Sequence, residues 1–198
     1  SGVNVTTASS GGGTLISEDF SSGASNFTVI SGGSWNVSSG RYVLSSPATS
    51  GTAGVLGNIS VQNTSVSGDF TLTATMNITG TGSSWNDAAI VFGYQDANNY
   101  YYLSLNESND GNTKGVFKVV GGSPTELADI TIGVSSGTDY SIEIARSGSA
   151  IVAKVNSSQV ASTTDSTFTS GKVGFGSYND GAQFDDLVVT APGGADTQ

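Results

Sequence analysis

Two pairs of adjacent carboxylates stand near opposite ends of this chain, Glu18-Asp19 and Asp185-Asp186. Acidic side chains are the residue types that hold a hard cation such as calcium, which takes oxygen ligands. The chain contains no Cys and no His, so thiolate and imidazole ligands for a transition metal are excluded. The pairs therefore predict a structural calcium that joins the two ends of one domain. The alternative is that these acids are ordinary solvated surface residues.

The alternation of residues 184–189, the last apolar run, favours one of Asp185 and Asp186 as the calcium ligand. If Leu187 and Val189 face the core, Asp185 shares their side and Asp186 lies on the opposite side. That opposite side is also apolar in sequence, and a buried carboxylate needs a charge partner or a metal. Asp186 is therefore the favoured ligand, and Asp185 is the alternative.

A run of three aromatic residues in the middle of the chain, Tyr100-Tyr101-Tyr102, is the second feature with chemical potential. Because side chains alternate across a strand, Tyr100 and Tyr102 face outward if Tyr101 faces the core. On the following run, Phe117 and Val119 are predicted to face inward and Lys118 outward. The neighbouring outward positions are small, so the pattern predicts a shallow groove with tyrosine walls.

Sugars present apolar C–H faces and hydroxyl groups, which aromatic rings and amide or amino side chains suit. The predicted carbohydrate-binding residues are Tyr100, Tyr102, Lys118, Trp85, Asn99 and Gly93. The alternative is that the tyrosines form ordinary cross-strand pairs of a sheet.

Composition limits the classes of function. The chain has 6 Lys and Arg residues against 16 Asp and Glu residues, a formal net charge of −10, so nucleic-acid and anionic-membrane partners are not expected. No apolar run is long enough to span a bilayer. Without His or Cys, the Ser-His-Asp and Cys-His mechanisms are excluded within this chain. Only 11% of the residues are charged, a composition common in secreted bacterial proteins.

The pattern between the two ends is β throughout. Apolar residues from Phe70 to Ile78 alternate with Thr and Asn, which is typical of a half-buried strand. Similar short runs are separated by turn residues, and no stretch has a helical apolar stripe. The sequence predicts an all-β fold, a two-sheet antiparallel β-sandwich or jelly roll. Residues 14–191 form the domain, and the polar segments 1–13 and 192–198 are predicted linkers.

The order and spacing of four segments resemble concanavalin A-like jelly rolls of the laminin-G type. These segments are Trp35–Leu44, Gly68–Met76, Ala88–Leu105 and Gly171–Val189. Such domains are often appended to bacterial polysaccharide lyases and glycoside hydrolases. They often carry a structural calcium held by an acid near the first strand and an Asp on the last. The resemblance implies Glu18 or Asp19 and Asp185 or Asp186 at those positions.

The resemblance also covers enzymes. Jelly-roll glucanases use an acid-x-acid-x-x-acid strand, which this chain lacks. Jelly-roll alginate lyases use a His/Tyr pair, which is incomplete here without His. A Tyr-only lyase, or a carboxylate pair assembled from distant strands, remains open.

The leading prediction is a noncatalytic carbohydrate-binding module, monomeric within a larger secreted polysaccharide-degrading enzyme. It would bind a polysaccharide on one sheet face and hold calcium elsewhere. The alternatives are a glycan-active enzyme on the same fold, a polysaccharide lyase or glycoside hydrolase, and an adhesin or surface module.

Overall fold

The computed structural model describes residues 12–49, 52–80, 85–108 and 113–192, and these residues form fifteen strands. No helix in them is long and apolar enough to cross a membrane. The strands are β1 (Thr14–Glu18), β2 (Phe27–Ser31), β3 (Trp35–Ser38), β4 (Arg41–Leu44), β5 (Asn58–Ser67), β6 (Phe70–Ile78), β7 (Asp87–Asp96), β8 (Asn99–Asn106), β9 (Gly115–Val120), β10 (Ser123–Asp129), β11 (Asp139–Ser147), β12 (Ala150–Val155), β13 (Ser158–Thr164), β14 (Ser170–Ser177) and β15 (Ala182–Thr190).

The strands form two antiparallel sheets. The eight-stranded sheet has the order β13-β12-β11-β6-β15-β4-β3, and β1 also pairs with β15. The seven-stranded sheet has the order β10-β9-β8-β7-β14-β5-β2. The predicted two-sheet β-sandwich is therefore confirmed. The predicted linkers, 1–13 and 192–198, lie almost wholly outside the described residues.

The main core lies between the sheets and is built from alternating side chains. Strand β6 places Phe70, Leu72 and Met76 inward, as its period-two sequence predicts. Phe175 of β14 stacks on Phe184 of β15, with ring centroids 4.3 Å apart. This contact joins the two sheets at their centres, since β14 and β15 belong to different sheets.

A second apolar cluster, the outer cluster, covers the outer face of the seven-stranded sheet. Its members include Leu56, Tyr100, Tyr102, Phe117 and Val119. The segment that precedes β5 lies over this face and is held by tyrosine hydroxyls. The Leu56 amide donates to Tyr100 Oη at 3.0 Å, and Tyr102 Oη donates to the Gly54 carbonyl at 2.7 Å. Strands β7 and β8 are therefore buried on both faces, which explains their nearly continuous apolar sequences.

The Asp185-Asp186 pair forms a β-bulge. The pairing of β15 with β6 shifts register between Asp185 and Val188, and Asp186 has a φ of +50°. The extra residue lets Phe184 and Leu187 both face the main core. The prediction that Asp186 is the more buried carboxylate is wrong, because the bulge exposes Asp186 and half-buries Asp185.

Candidate functional site

A cavity of about 300 Å³ opens at one end of the seven-stranded sheet, on its outer face. Strands β7, β8 and β14 bring their ends together here, and the segment before β5 forms the opposite wall. The cavity is lined by Ala53, Gly54, Leu56, Trp85, Asp87, Tyr102, Ser104, Asn106, Thr113, Tyr178 and Asn179.

Aromatic and aliphatic side chains supply most of the cavity surface. The Trp85 side chain stands at the edge and is 51% exposed, although a tryptophan is ordinarily mostly buried. Leu56 and the ring of Tyr102 are buried in the outer cluster. An exposed indole beside an apolar floor is a surface on which a flat apolar ligand face can stack.

Asn106 gives the cavity a hydrogen-bond acceptor without a partner. Its side chain is buried, and its Nδ2 donates to Thr113 Oγ1 at 2.8 Å. Among the described residues, no group donates to its Oδ1. This atom has almost no exposed surface, and a buried acceptor without a donor carries a desolvation cost of about 1–3 kcal/mol. A ligand hydroxyl that reached it would remove that cost.

Asp87 lies directly opposite Asn106 in the pairing of β7 with β8, so both side chains point to the same face. One carboxylate oxygen of Asp87 accepts from Ser177 Oγ at 3.1 Å, and the other accepts from the Tyr178 amide at 2.9 Å. Each oxygen keeps a further lone pair. The Asp87 carboxylate is thus held in place by two donors and retains acceptor capacity toward the cavity.

Asp180 lies against Asp87 from the turn after β14. Its Oδ2 accepts from the Asp87 amide at 3.2 Å, and its own amide donates to Ser177 Oγ at 2.7 Å. Burial raises the pKa of Asp87 from 3.8 to about 7, and the Asp180 charge adds to the effect. Burial also raises the pKa of Asp180. The two carboxyls titrate as a pair, which favours one shared proton over two charges.

The structure brings two of the six predicted sugar-site residues, Tyr102 and Trp85, into the cavity. The predicted parity of the tyrosines is correct, since Tyr101 lies in the main core and Tyr100 and Tyr102 in the outer cluster. Their predicted exposure is wrong, because residues before β5 cover them. Tyr100 is fully buried beneath Leu56.

Lys118 faces the other way from the prediction. It pairs across β8 with Tyr101, so it shares the inner face, where its Nζ donates to Asp165 and to Thr167 Oγ1. Phe117 and Val119 correspondingly belong to the outer cluster. The predicted parity of β9 is therefore wrong.

Asn99 and Gly93 lie away from the cavity. Asn99 Nδ2 donates to Asp96 at 2.9 and 3.0 Å, and Asn99 Oδ1 accepts from the Gly121 amide at 3.0 Å, which ties two hairpin turns together. Gly93 has a φ of +56°, and a Cβ there would lie 2.9 Å from the ring of Tyr101. Close packing and backbone conformation explain this glycine.

Sequence reasoning missed Asp87, Asn106, Tyr178 and Asn179 as cavity residues. Asp87 and Asn106 begin and end two apolar strands, and only the pairing register shows that they are neighbours. The Asn179-Asp180-Gly181 tract carries the sequence signal of a turn. That signal does not reveal that the turn borders a cavity.

The predicted calcium corner brings the chain ends together, since Glu18 of β1 pairs with Leu187 of β15. The carboxylates nevertheless have local partners: Glu18 accepts from the Phe20 amide at 3.0 Å and Asp19 from the Ser21 amide at 3.0 Å. In the described part of the chain, no three acidic side chains group as a metal site. These side chains supply only part of the six to eight oxygens that calcium takes. Backbone carbonyls and waters would have to supply most ligands.

Comparison with solved structures identifies the class of fold. The β-sandwich is the one seen in the carbohydrate-binding module CBM66 from Bacillus subtilis, with a TM-score of 0.71 and 19% identity over 84% of this chain and 96% of that chain. The carbohydrate recognition domain of Emp47p matches with a TM-score of 0.61 and 13% identity, over 85% of this chain and 89% of that chain. At such identities the likeness shows the fold.

In sequence, the chain is 32% identical over 143 residues to an extracellular exo-alpha-L-arabinofuranosidase of Streptomyces chartreusis. The matched region is 72% of this chain and 16% of that enzyme. No protein-family model matches the chain.

Proposed function

We propose that this domain binds a carbohydrate in the cavity beside Trp85 and does not itself cleave it. The observation that carries the proposal is one cavity that combines an exposed indole, an apolar floor and the unpartnered buried Oδ1 of Asn106. A sugar matches all three, because its C–H face stacks on aromatic rings while its hydroxyls donate hydrogen bonds.

The comparisons support this assignment. One structural neighbour is a carbohydrate-binding module and another is a carbohydrate recognition domain. The sequence relative is an extracellular enzyme that acts on a glycoside, and the chain matches 16% of it. The role that follows is to hold a secreted parent enzyme near its polymer, which raises the local concentration of substrate.

Binding is favoured over hydrolysis by the carboxylates. Glycoside hydrolysis ordinarily uses two carboxyl groups, about 5 Å or more apart, that flank the scissile bond. Among the described residues that line the cavity, Asp87 is the only acid. Asp180 lies behind Asp87: its carboxylate accepts from the Asp87 amide, and its own amide donates to Ser177 Oγ. Product release from a polysaccharide panel, lost on Tyr102→Phe, would instead establish the enzymatic alternative.

Truncation of the indole tests the binding site. In affinity gel electrophoresis against arabinan, xylan, galactan, mannan and β-glucan, wild-type protein is expected to be retarded by at least one polymer. Trp85→Ala should weaken that binding at least tenfold, since buried contacts to tryptophan dominate binding sites of this kind. Val29→Ala is the matched control, because Val29 is also an exposed apolar residue, 47% exposed, on β2 of the same sheet.

Equal retardation of wild type and Trp85→Ala would place the sugar elsewhere on the molecule. Absence of retardation by every polymer would overturn the proposal.

The predicted calcium at the β1–β15 corner belongs to the same proposal and has its own test. A ligand that binds only the native state at 100 times its Kd stabilises it by about 2.7 kcal/mol. For a domain of this size, that is roughly 5–10 °C in Tm. Calcium added to chelator-treated protein is expected to raise Tm by this amount, and Asp185→Asn should reduce the effect. An unchanged Tm would show that these acids are solvated surface residues.

A further inference from the structure

The cavity-lining residues that the structure describes include one acid, Asp87, and carry no positive charge. Polar side chains of the lining include Asp87, Ser104, Asn106, Thr113 and Asn179, and no cavity-lining residue that the structure describes is Lys or Arg. Residues 50–51, 81–84 and 109–112, which the structure does not describe, contain no Lys or Arg in sequence. No undescribed internal residue therefore adds a cation.

The chain has six Lys and Arg residues in total, and five of them bind other groups. Three form ion pairs and two donate to backbone carbonyls: Arg41 with Asp139, Lys118 with Asp165, Lys154 with Glu143, Arg146 with the Asp165 carbonyl and Lys114 with the Ile132 carbonyl. The sixth, Lys172, lies five residues before Ser177 on β14, about 17 Å along the strand from the cavity.

Lys114 is the cation nearest the cavity in sequence, because it follows the lining residue Thr113. The Lys114 ammonium is buried and donates to the Ile132 carbonyl at 2.6 Å. It is thus committed to that carbonyl and is absent from the cavity lining.

The geometry points to a neutral sugar as the ligand of this cavity, one that presents adjacent free hydroxyl groups as donors to Asn106 Oδ1 and the Asp87 carboxyl. This inference rests on the proposed carbohydrate binding. A uronic acid would bring a carboxylate against Asp87 without a cation to pair it, and an unpaired charge is costly to desolvate. A sugar whose neighbouring hydroxyls are methylated would leave Asn106 Oδ1 without a donor.

The test compares polymers that differ only in charge. Polygalacturonan, alginate and glucuronan are each used in native form and after reduction of their carboxyl groups to hydroxymethyl groups, beside the neutral polymers named above. The chain's net charge of −10 repels any polyanion, so the measurements are repeated at 0.5 M NaCl, where the Debye length falls to about 4–5 Å. A difference in binding that remains at that salt concentration reflects contacts made within the cavity.

The expected result is that bound polymers are neutral, and that any polymer bound after reduction binds at least tenfold less well in its native acidic form. This preference should persist at high salt. Tighter binding of a native uronate polymer would overturn the inference while leaving carbohydrate binding intact. If no polymer binds at all, the inference and the proposed function fail together.

A second measurement locates the preference. O-methylation of the best neutral polymer is expected to abolish its binding, a ligand-side change that leaves the protein untouched. Asn106→Ala should weaken binding of the unmodified polymer roughly three- to tenfold, the value of one neutral hydrogen bond. Asn36→Ala, at an exposed position on β3 of the other sheet, is the matched control. Undiminished binding of the methylated polymer would overturn the donor assignment.

Discussion

Replacement of Asn58 by alanine is expected to lower the free energy of unfolding by roughly 3 kcal/mol, which is about 6–12 °C in Tm for a domain of this size. The Asn58 side chain is fully buried. Its Oδ1 accepts from the Ala48 amide at 2.7 Å, and its Nδ2 donates to the Ala48 carbonyl at 2.9 Å and the Ser177 carbonyl at 3.3 Å. The truncation leaves three backbone groups without their side-chain partner.

The same variant should loosen one wall of the cavity. Asn58 fixes Ala48, and the chain from there to β5 carries Gly54 and Leu56, which bond the hydroxyls of Tyr102 and Tyr100. Hydrogen exchange at the Leu56 amide is therefore expected to accelerate more than exchange at amides in the main core, since local openings span a range of free energies. Sugar binding should weaken along with it.

Asn63→Ala provides the matched control on the same strand. Asn63 is exposed and its side chain accepts one bond, from Thr28 Oγ1 at 2.6 Å. A loss below about 1 kcal/mol is expected there, as for exposed polar contacts generally. Equal losses for Asn58→Ala and Asn63→Ala would show that the Asn58 bonds do not hold the covering segment.

The parts of the fold that alternation specifies could be predicted from sequence. Strand β6 alternates without interruption and faces the core as expected. The parity of the tyrosine run on β8 is also correct. Period-two reasoning fails where a residue is inserted. The bulge at Asp185-Asp186 reverses which face of the sheet each later residue of β15 points to, relative to the alternation before it.

It fails also where both faces of a strand are apolar. Val116, Phe117 and Val119 of β9 are all buried, so sequence gives no preferred side, and only the register against β8 decides. The polar edge strands β10 and β13 show a different limit. Most of their residues are exposed or half-buried, so they carry little apolar alternation from which a strand could be predicted.

The cavity itself could not be predicted, because its residues come from separate strands and turns. Parity alone predicts that Tyr100 and Tyr102 are exposed. They are buried because residues 52–56 cross the sheet above them. A covering segment is a tertiary feature without a local sequence period. Parity therefore predicts the correct face for both tyrosines. The cavity opens beside Trp85 and Asn106, and Tyr102 lines it whereas Tyr100 does not.

The stability of the domain is expected to fall as the pH rises from about 4 to 7, because of Asp87. Its pKa is 3.8 in the unfolded chain and about 7 in the folded protein, chiefly through burial. Between those values the unfolded chain binds fewer protons than the folded protein, so stability declines with pH. The difference corresponds to roughly 4 kcal/mol at most, fully present below pH 4 and lost by about pH 7.

Asp87→Asn should remove the part of this decline that Asp87 causes, whereas Asp180, whose pKa burial also raises, keeps its own contribution. An asparagine has no charge to desolvate, and its carbonyl can still accept from the Tyr178 amide that Asp87 binds at 2.9 Å. Urea unfolding at pH 4.5, 6 and 8 is expected to show the variant gaining several kcal/mol relative to wild type across the series. The constant offset between the two proteins at low pH measures the lost hydrogen bond to Ser177.

Asp139→Asn is the control of opposite sign. Hydrogen bonds from Arg41 and Asn77 lower the pKa of Asp139 from 3.8 to about 2. That carboxylate therefore stabilises the fold above about pH 4 and loses its effect as the pH falls toward 2. Asp139→Asn should alter the dependence of stability on pH below about pH 4 and leave the decline in stability between pH 4.5 and 8 intact. If wild type and Asp87→Asn instead decline in parallel, the buried carboxyl pair does not control the pH dependence. Asp87 would then be an ionised acceptor throughout this range.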